Sequence, residues 1–103
     1  MKSTFSILFY IDRSKTNENN ECIIRCRITC NGASASFSTG LHTSPVDWQL
    51  KIGRIKVAAN RANGVNHQLD SIDKRLHALY ELTLREENYI TAEYLKEQYL
   101  RYM

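Results

Sequence analysis

Much that an enzyme or a membrane protein displays is missing from this 103-residue chain. No stretch approaches the roughly 18 consecutive apolar residues of a membrane span, so a helical transmembrane segment is excluded. The N-terminus, MKSTFSILFYIDR, has a short apolar run but no small-residue cleavage site behind it. It does not read as a secretory signal, and a cytoplasmic location is expected. The three histidines, His42, His67 and His77, offer no pair at ligand spacing. There is no G-x-G-x-x-G, no P-loop and no G-x-S-x-G, which removes the common nucleotide and nucleophile-elbow signatures. Cysteine is scarce and odd in number. Cys22, Cys26 and Cys30 recur at even spacing, which on a strand sets them on one face over up to roughly 27 Å at ~3.4 Å per residue. They cannot share one metal and are expected as reduced thiols packed like small hydrophobes. Glu86 and Glu87 read as a solvated helix end. Tyr94, Tyr99 and Tyr102 have nothing nearby to activate a phenol and read as packing residues for a neighbour outside the chain. A non-catalytic protein is expected, with no metal, no cofactor and no small-molecule substrate.

What is present is a hairpin with an unusual face. RCRITCNGASASFSTG, residues 25–40, holds Asn31-Gly32 between two runs of period-2 alternation, the strongest short-range hairpin signal. A two-residue loop there makes facing residues sum to 63. Cys30 then faces Ala33, Ile28 faces Ala35 and Cys26 faces Phe37, and every pair on that side is apolar. On the other side Thr29 meets Ser34, Arg27 meets Ser36, and Arg25 meets Ser38. Two adjacent arginines project outward with no acid on the partner strand to pair them. Charge distribution agrees: residues 1–62 hold nine Lys/Arg against four Asp/Glu, whereas residues 63–103 hold five against seven. A basic half is a footprint of nucleic-acid binding.

Around the hairpin, Phe5, Ile7, Phe9 and Ile11 alternate with Thr4, Ser6, Leu8 and Tyr10, a first strand of about eight residues. The polar run Asp12 to Asn20 reads as a mobile loop. A second strand spans Glu21 to Cys30, and a third runs from Ala33 to about Thr39, ended by Gly40. Ser44-Pro45 with Asp47 reads as the cap and first turn of a short helix, with Trp48 packing beneath it, and residues 51–66 as a small irregular hairpin. Leu69, Ile72, Leu76, Leu79 and Tyr80 make the stripe of an amphipathic helix from about Asn66 to Glu87, the one long element available to cover the sheet. A second helical pattern starts at Thr91, a plausible N-cap, and is still running at Met103, so the chain is expected to be a piece of something longer. The fold class is α+β: a three-stranded antiparallel meander packed against a long C-terminal helix, plus a short helical turn and a second terminal helix.

Two readings of the polar sheet face stand. Hydroxyls and arginines are good exposed strand residues, so it can be an ordinary solvated face. It can equally enter the DNA major groove, where arginine contacts guanine bidentately and threonine or leucine meets a thymine methyl. On that reading Arg25, Arg27, Thr29, Ser34, Ser36 and Tyr10 face the DNA, with Leu8 adding apolar surface. Arg13 and Lys15 hold phosphates, as do Lys51, Arg54 and Lys56.

The stretch FYIDRSKTNENNECIIRCRITCNGASASFSTGLHTSPVDWQLKIGRIK resembles the arm-type DNA-binding domain at the N-terminus of tyrosine-recombinase integrases of phages and conjugative transposons. The similar features are the strand ending FYI, the RITCNG hairpin, FSTG closing the third strand and SPVDWQLKIGRIK after it. ITAEYLKEQYL resembles the connector into the core-binding domain of those enzymes. The resemblance covers about Phe5 to Leu100, and the third strand departs from it in carrying no Lys or Arg. It implies residues 1–89 as the arm-type domain and 90–103 as the connector helix toward a core-binding domain outside this chain. It also implies accessory, sequence-specific binding of double-stranded DNA at arm-type sites during site-specific recombination and integration, while a separate tyrosine domain does the chemistry. The alternative is a protein-interaction module that assembles integrase protomers.

Overall fold

A computed structural model describes residues 4–86 and 89–101, with residues 61–63 described in backbone only. Tyr102 and Glu87, both singled out in the sequence, lie outside the described residues. Three strands form an antiparallel meander: β1 (Phe5–Thr16), β2 (Cys22–Cys30) and β3 (Ala33–Thr43), with β2 in the middle. A 3-10 turn (Pro45–Asp47) leads into a two-stranded hairpin, β4 (Trp48–Gln49) and β5 (Arg54–Ile55). Three helices follow: α1 (Val57–Asn63), α2 (Val65–Glu86) and α3 (Ala92–Arg101). The α+β class holds; the irregular hairpin expected over residues 51–66 is confined to β4 and β5, and the rest of that span is α1 and the start of α2.

The register is the one the turn dictates. Cys30 faces Ala33, Ile28 faces Ala35, Cys26 faces Phe37, and on the outer face Thr29–Ser34, Arg27–Ser36 and Arg25–Ser38 pair directly. Asn31 and Gly32 both have positive φ, 53° and 87°, as a primed turn between right-twisted strands requires. Asn31 also anchors the start of β1: its side chain accepts from the Thr4 N–H at 3.0 Å, and its own N–H donates to the Thr4 carbonyl at 3.0 Å.

Both outer strands run further than alternation suggested. β1 continues through the polar run to Thr16, which pairs with Cys22 after a shift in register. The Asn17 side chain closes that turn, accepting from the N–H groups of Asn19 and Glu21 at 2.9 Å each. Local side-chain-to-backbone bonds of this kind order a segment that lacks apolar residues. β3 does not stop at Gly40. It passes through a bulge there, with Ile23 facing His42 beyond it. Gly40 takes φ 79°, and Thr39 Oγ1 stitches the bulge by donating to the Ile24 carbonyl at 2.7 Å and accepting from the Leu41 N–H at 3.1 Å. A bulge with a left-handed glycine lets a strand bend and go on.

The capping box expected at Ser44 is also absent: its side chain makes no cap bond, and the turn is closed by the Asp47 N–H on the Ser44 carbonyl at 3.0 Å. α1 is a helix where turn residues predict a hairpin. It has no apolar stripe and ends on Gly64 in the left-handed region.

The apolar sheet face, Phe9, Ile11, Cys22, Ile24, Cys26, Ile28, Cys30, Ala35 and Phe37, is buried. α2 covers it with Val65, Leu69, Ile72 and Leu76, but it does not do so alone. Trp48 and Ile55 of the small sheet join the core, as do Ile90, Ala92, Leu95 and Tyr99 from the last helix and its approach. Thr91 is the N-cap of α3, accepting from the Tyr94 N–H at 3.0 Å. The expectation that Tyr99 awaits a neighbour outside the chain is therefore corrected: its neighbour is the sheet.

Candidate nucleic-acid interface

With one face of the meander sealed by α2, α3 and the small sheet, the opposite face is left to solvent. Three cross-strand rows make it up: Ser6–Thr29–Ser34, Leu8–Arg27–Ser36 and Tyr10–Arg25–Ser38. All of these side chains are exposed or half-buried. Strand pairing puts the sequence-expected residues Arg25, Arg27, Thr29, Ser34, Ser36 and Tyr10 on one surface. Arg27 is exposed and Arg25 half-buried. Among the described residues neither makes an ion pair within 4.0 Å.

The arginines are not loose. The Arg27 guanidinium lies 4.9 Å from the centre of the Tyr10 ring, a cation–π contact from its diagonal neighbour. Partial burial by itself would raise the Tyr10 phenol. The approach of Ser36 and Arg25, with the positive charges of Arg25 and Arg27, outweighs it and holds the phenol below its ordinary value.

One acid on this face escaped the sequence reading. Asp12 follows Tyr10 in the alternation of β1, and that even spacing was the signal for it. Its carboxyl is held below the ordinary value, first by the Ser14 hydroxyl and N–H, then by the charges of Lys15 and Arg25. The Ser14 N–H donates to it at 3.0 Å. It closes one end of the arginine rows without forming an ion pair with them.

The flanking cations divide. Arg13 and Lys15, in the extension of β1, and Lys51 and Lys56, around the small hairpin, are exposed. Arg54 is otherwise engaged. Its Nε and one terminal nitrogen donate to Asp70 at 3.0 and 2.9 Å, the other terminal nitrogen donates to the Gly53 carbonyl at 2.8 Å, and its guanidinium lies 4.9 Å from the Phe9 ring centre. Phe9 belongs to the buried face, so Arg54 ties the small sheet to α2 behind the meander. Gly53 makes that approach feasible, since a Cβ there would sit 3.1 Å from the Phe9 carbonyl oxygen.

Elsewhere, a recess of about 280 Å³ lies where β3 meets α2 and α3, lined by Thr39, His67, Ser71, Arg75 and Tyr99 among others. His77 contacts Asp73 at 3.0 Å and the edge of Phe5, as a helix-boundary residue does. Among the described residues no cluster of His, Cys, Asp or Glu has metal-binding geometry, and no helix is long and apolar enough to cross a membrane.

A family model described as an Arm DNA-binding domain matches residues 9–96. No curated protein matches the sequence, and no solved structure does.

Proposed function

Because the chain belongs to the Arm DNA-binding domain family, we propose that it recognises arm-type sites in double-stranded DNA through the outer face of the meander, as an accessory domain of a tyrosine-recombinase integrase. The observation that carries this reading is the pair Arg25 and Arg27, side by side on the central strand and free of acidic partners within ion-pair distance among the described residues. A sheet of this width fits the major groove, where an arginine fork matches guanine O6 and N7. Thr29, Ser34 and Ser36 add hydroxyls that serve either base edges or phosphates. Arg13, Lys15, Lys51 and Lys56 surround the face as phosphate contacts. Arg54 is left out of that set, since Asp70 holds it.

On this reading the domain does no chemistry, and the segment 90–103 leads toward a core-binding domain while Ala92, Leu95 and Tyr99 complete the core of this one. A cytoplasmic location follows from DNA as the partner. A second reading, assembly of integrase protomers, is favoured by the exposed Leu82 and Leu84 on α2 and Tyr94 and Leu100 on α3. The two are compatible, and a salt titration separates them. Phosphate-driven binding weakens steeply with salt, whereas an apolar protein contact does not. Arg25→Ala and Arg27→Ala are expected to lower affinity for a specific duplex by about 1–3 kcal/mol each while leaving the melt within about 0.5 kcal/mol. Binding of both variants at wild-type strength overturns the sheet-face reading and leaves the face a solvated one.

A further inference from the structure

We infer that Leu8 determines specificity, meeting a thymine methyl on the base pair next to the guanine contacted by Arg27. The inference rests on the sheet-face reading above. Leu8 stands directly across from Arg27 in the β1–β2 register. Side chains so placed on a sheet face are about 4.5–5.5 Å apart at Cβ, and base pairs stack at about 3.4 Å. With the strands running across the groove, cross-strand neighbours are spaced to contact adjoining base pairs.

An exposed leucine is unremarkable by itself. This one is 46% exposed in the middle row of the face, between Ser6–Thr29–Ser34 and Tyr10–Arg25–Ser38, and shares its row with Arg27 and Ser36. Tyr10, two residues along the same strand, holds the Arg27 guanidinium at 4.9 Å. Leu8 and Tyr10 thus flank one fixed guanidinium. In the major groove thymine offers its C5 methyl, guanine offers two acceptors, and cytosine offers an N4 amino donor. A side chain with no polar atom gains only from the methyl. Pressed against cytosine, it would strip water from a donor and return nothing.

The test uses a duplex enriched by the wild-type chain from a randomised library. Each thymine is replaced in turn by deoxyuridine, which lacks the methyl, and each guanine by 7-deazaguanine, which lacks N7. One uracil substitution is expected to weaken wild-type binding about fourfold, the worth of a buried methyl-sized group, and to leave Leu8→Ala unaffected. The guanine whose substitution no longer matters in Arg27→Ala is expected on the neighbouring base pair. The uracil scan is read on the wild-type protein, so it holds whatever Leu8→Ala does to stability. If Leu8→Ala responds to every uracil as the wild type does, or the two mapped bases are not adjacent, the inference is overturned. If the library yields no preferred sequence, or binding ignores both arginines, the sheet-face reading fails and takes the inference with it.

Discussion

The rings of Phe37 and Tyr99 lie 5.2 Å apart, tilted by 32°, and this contact joins the third strand to the last helix. Phe37 is on the sealed face of the meander, and Leu95, one turn before Tyr99, is 0% exposed. α3 is thereby part of the domain's core. Leu95→Ala is expected to destabilise the fold by about 2–5 kcal/mol, and a chain ending before residue 90 should lose its cooperative melt. Chemical denaturation of both variants checks this. A truncated chain that melts like the full one would show that α3 is only a connector.

The three cysteines give a chemical measure of the same core. Burial pushes the Cys26 thiol from an ordinary 9.0 up to about 12, with the nearby Asp73 charge adding to it, and Cys30 is raised by burial too. The thiolate is the reactive form, so a disulfide reagent at pH 8 should leave Cys26 and Cys30 untouched until the protein unfolds. The linkage has a definite sign. Above pH 9 the unfolded chain loses the Cys26 proton while the folded chain keeps it. The stability this group supplies is complete below pH 9 and is lost as pH rises toward 12. Fast labelling of Cys26 in the native protein would contradict the burial.

Arg54 and the lysines near it are expected to behave differently toward DNA. Lys51→Ala and Lys56→Ala should each reduce the salt dependence of binding by about one counterion and weaken all sequences alike. Arg54→Ala should leave the salt dependence unchanged, because its guanidinium is occupied by Asp70 at 2.9 Å. Its cost is to stability, since the Asp70 pair, the bond to the Gly53 carbonyl and the contact with the Phe9 ring are lost together. Titrations at several salt concentrations separate the two classes.

Much of this was legible from residue order. The Asn31-Gly32 turn and the alternation on both strands specify the same register, and with it the outer rows of arginine and serine. α2 could be placed because its apolar residues keep a helical period. What alternation could not show is where it is interrupted. The bulge at Gly40 breaks the period by inserting residues into β3, so the strand reads as ended. The Asn17 turn is made of side-chain hydrogen bonds that leave no hydrophobic trace. Arg54 reads as a free cation because its partner, Asp70, is sixteen residues away on another element. The helical pattern starting at Thr91 is visible in the sequence; that Ala92, Leu95 and Tyr99 turn it onto the sheet is not.

Tyr10 carries an expectation of its own. Its phenol titrates below the ordinary 10.0, and that of Tyr99 above it because of burial. An ultraviolet titration of the native protein should lose a tyrosine step below the ordinary 10.0 in Tyr10→Phe. Tyr10→Phe keeps the ring under Arg27 and should bind DNA nearly as the wild type does, whereas Tyr10→Ser frees the guanidinium and should lower sequence discrimination. Equal discrimination in both variants would mean the ring does not position Arg27.

The most direct test of the central claim is a titration of isotopically labelled protein with a specific duplex, followed by backbone amide shifts. The account expects the largest changes on β1 and β2 at Leu8, Tyr10, Arg25, Arg27 and Thr29, and across the turn at Ser34 and Ser36, with little change at His67, Ser71 and Arg75. Changes concentrated on those three helical residues, with the strands silent, would contradict it.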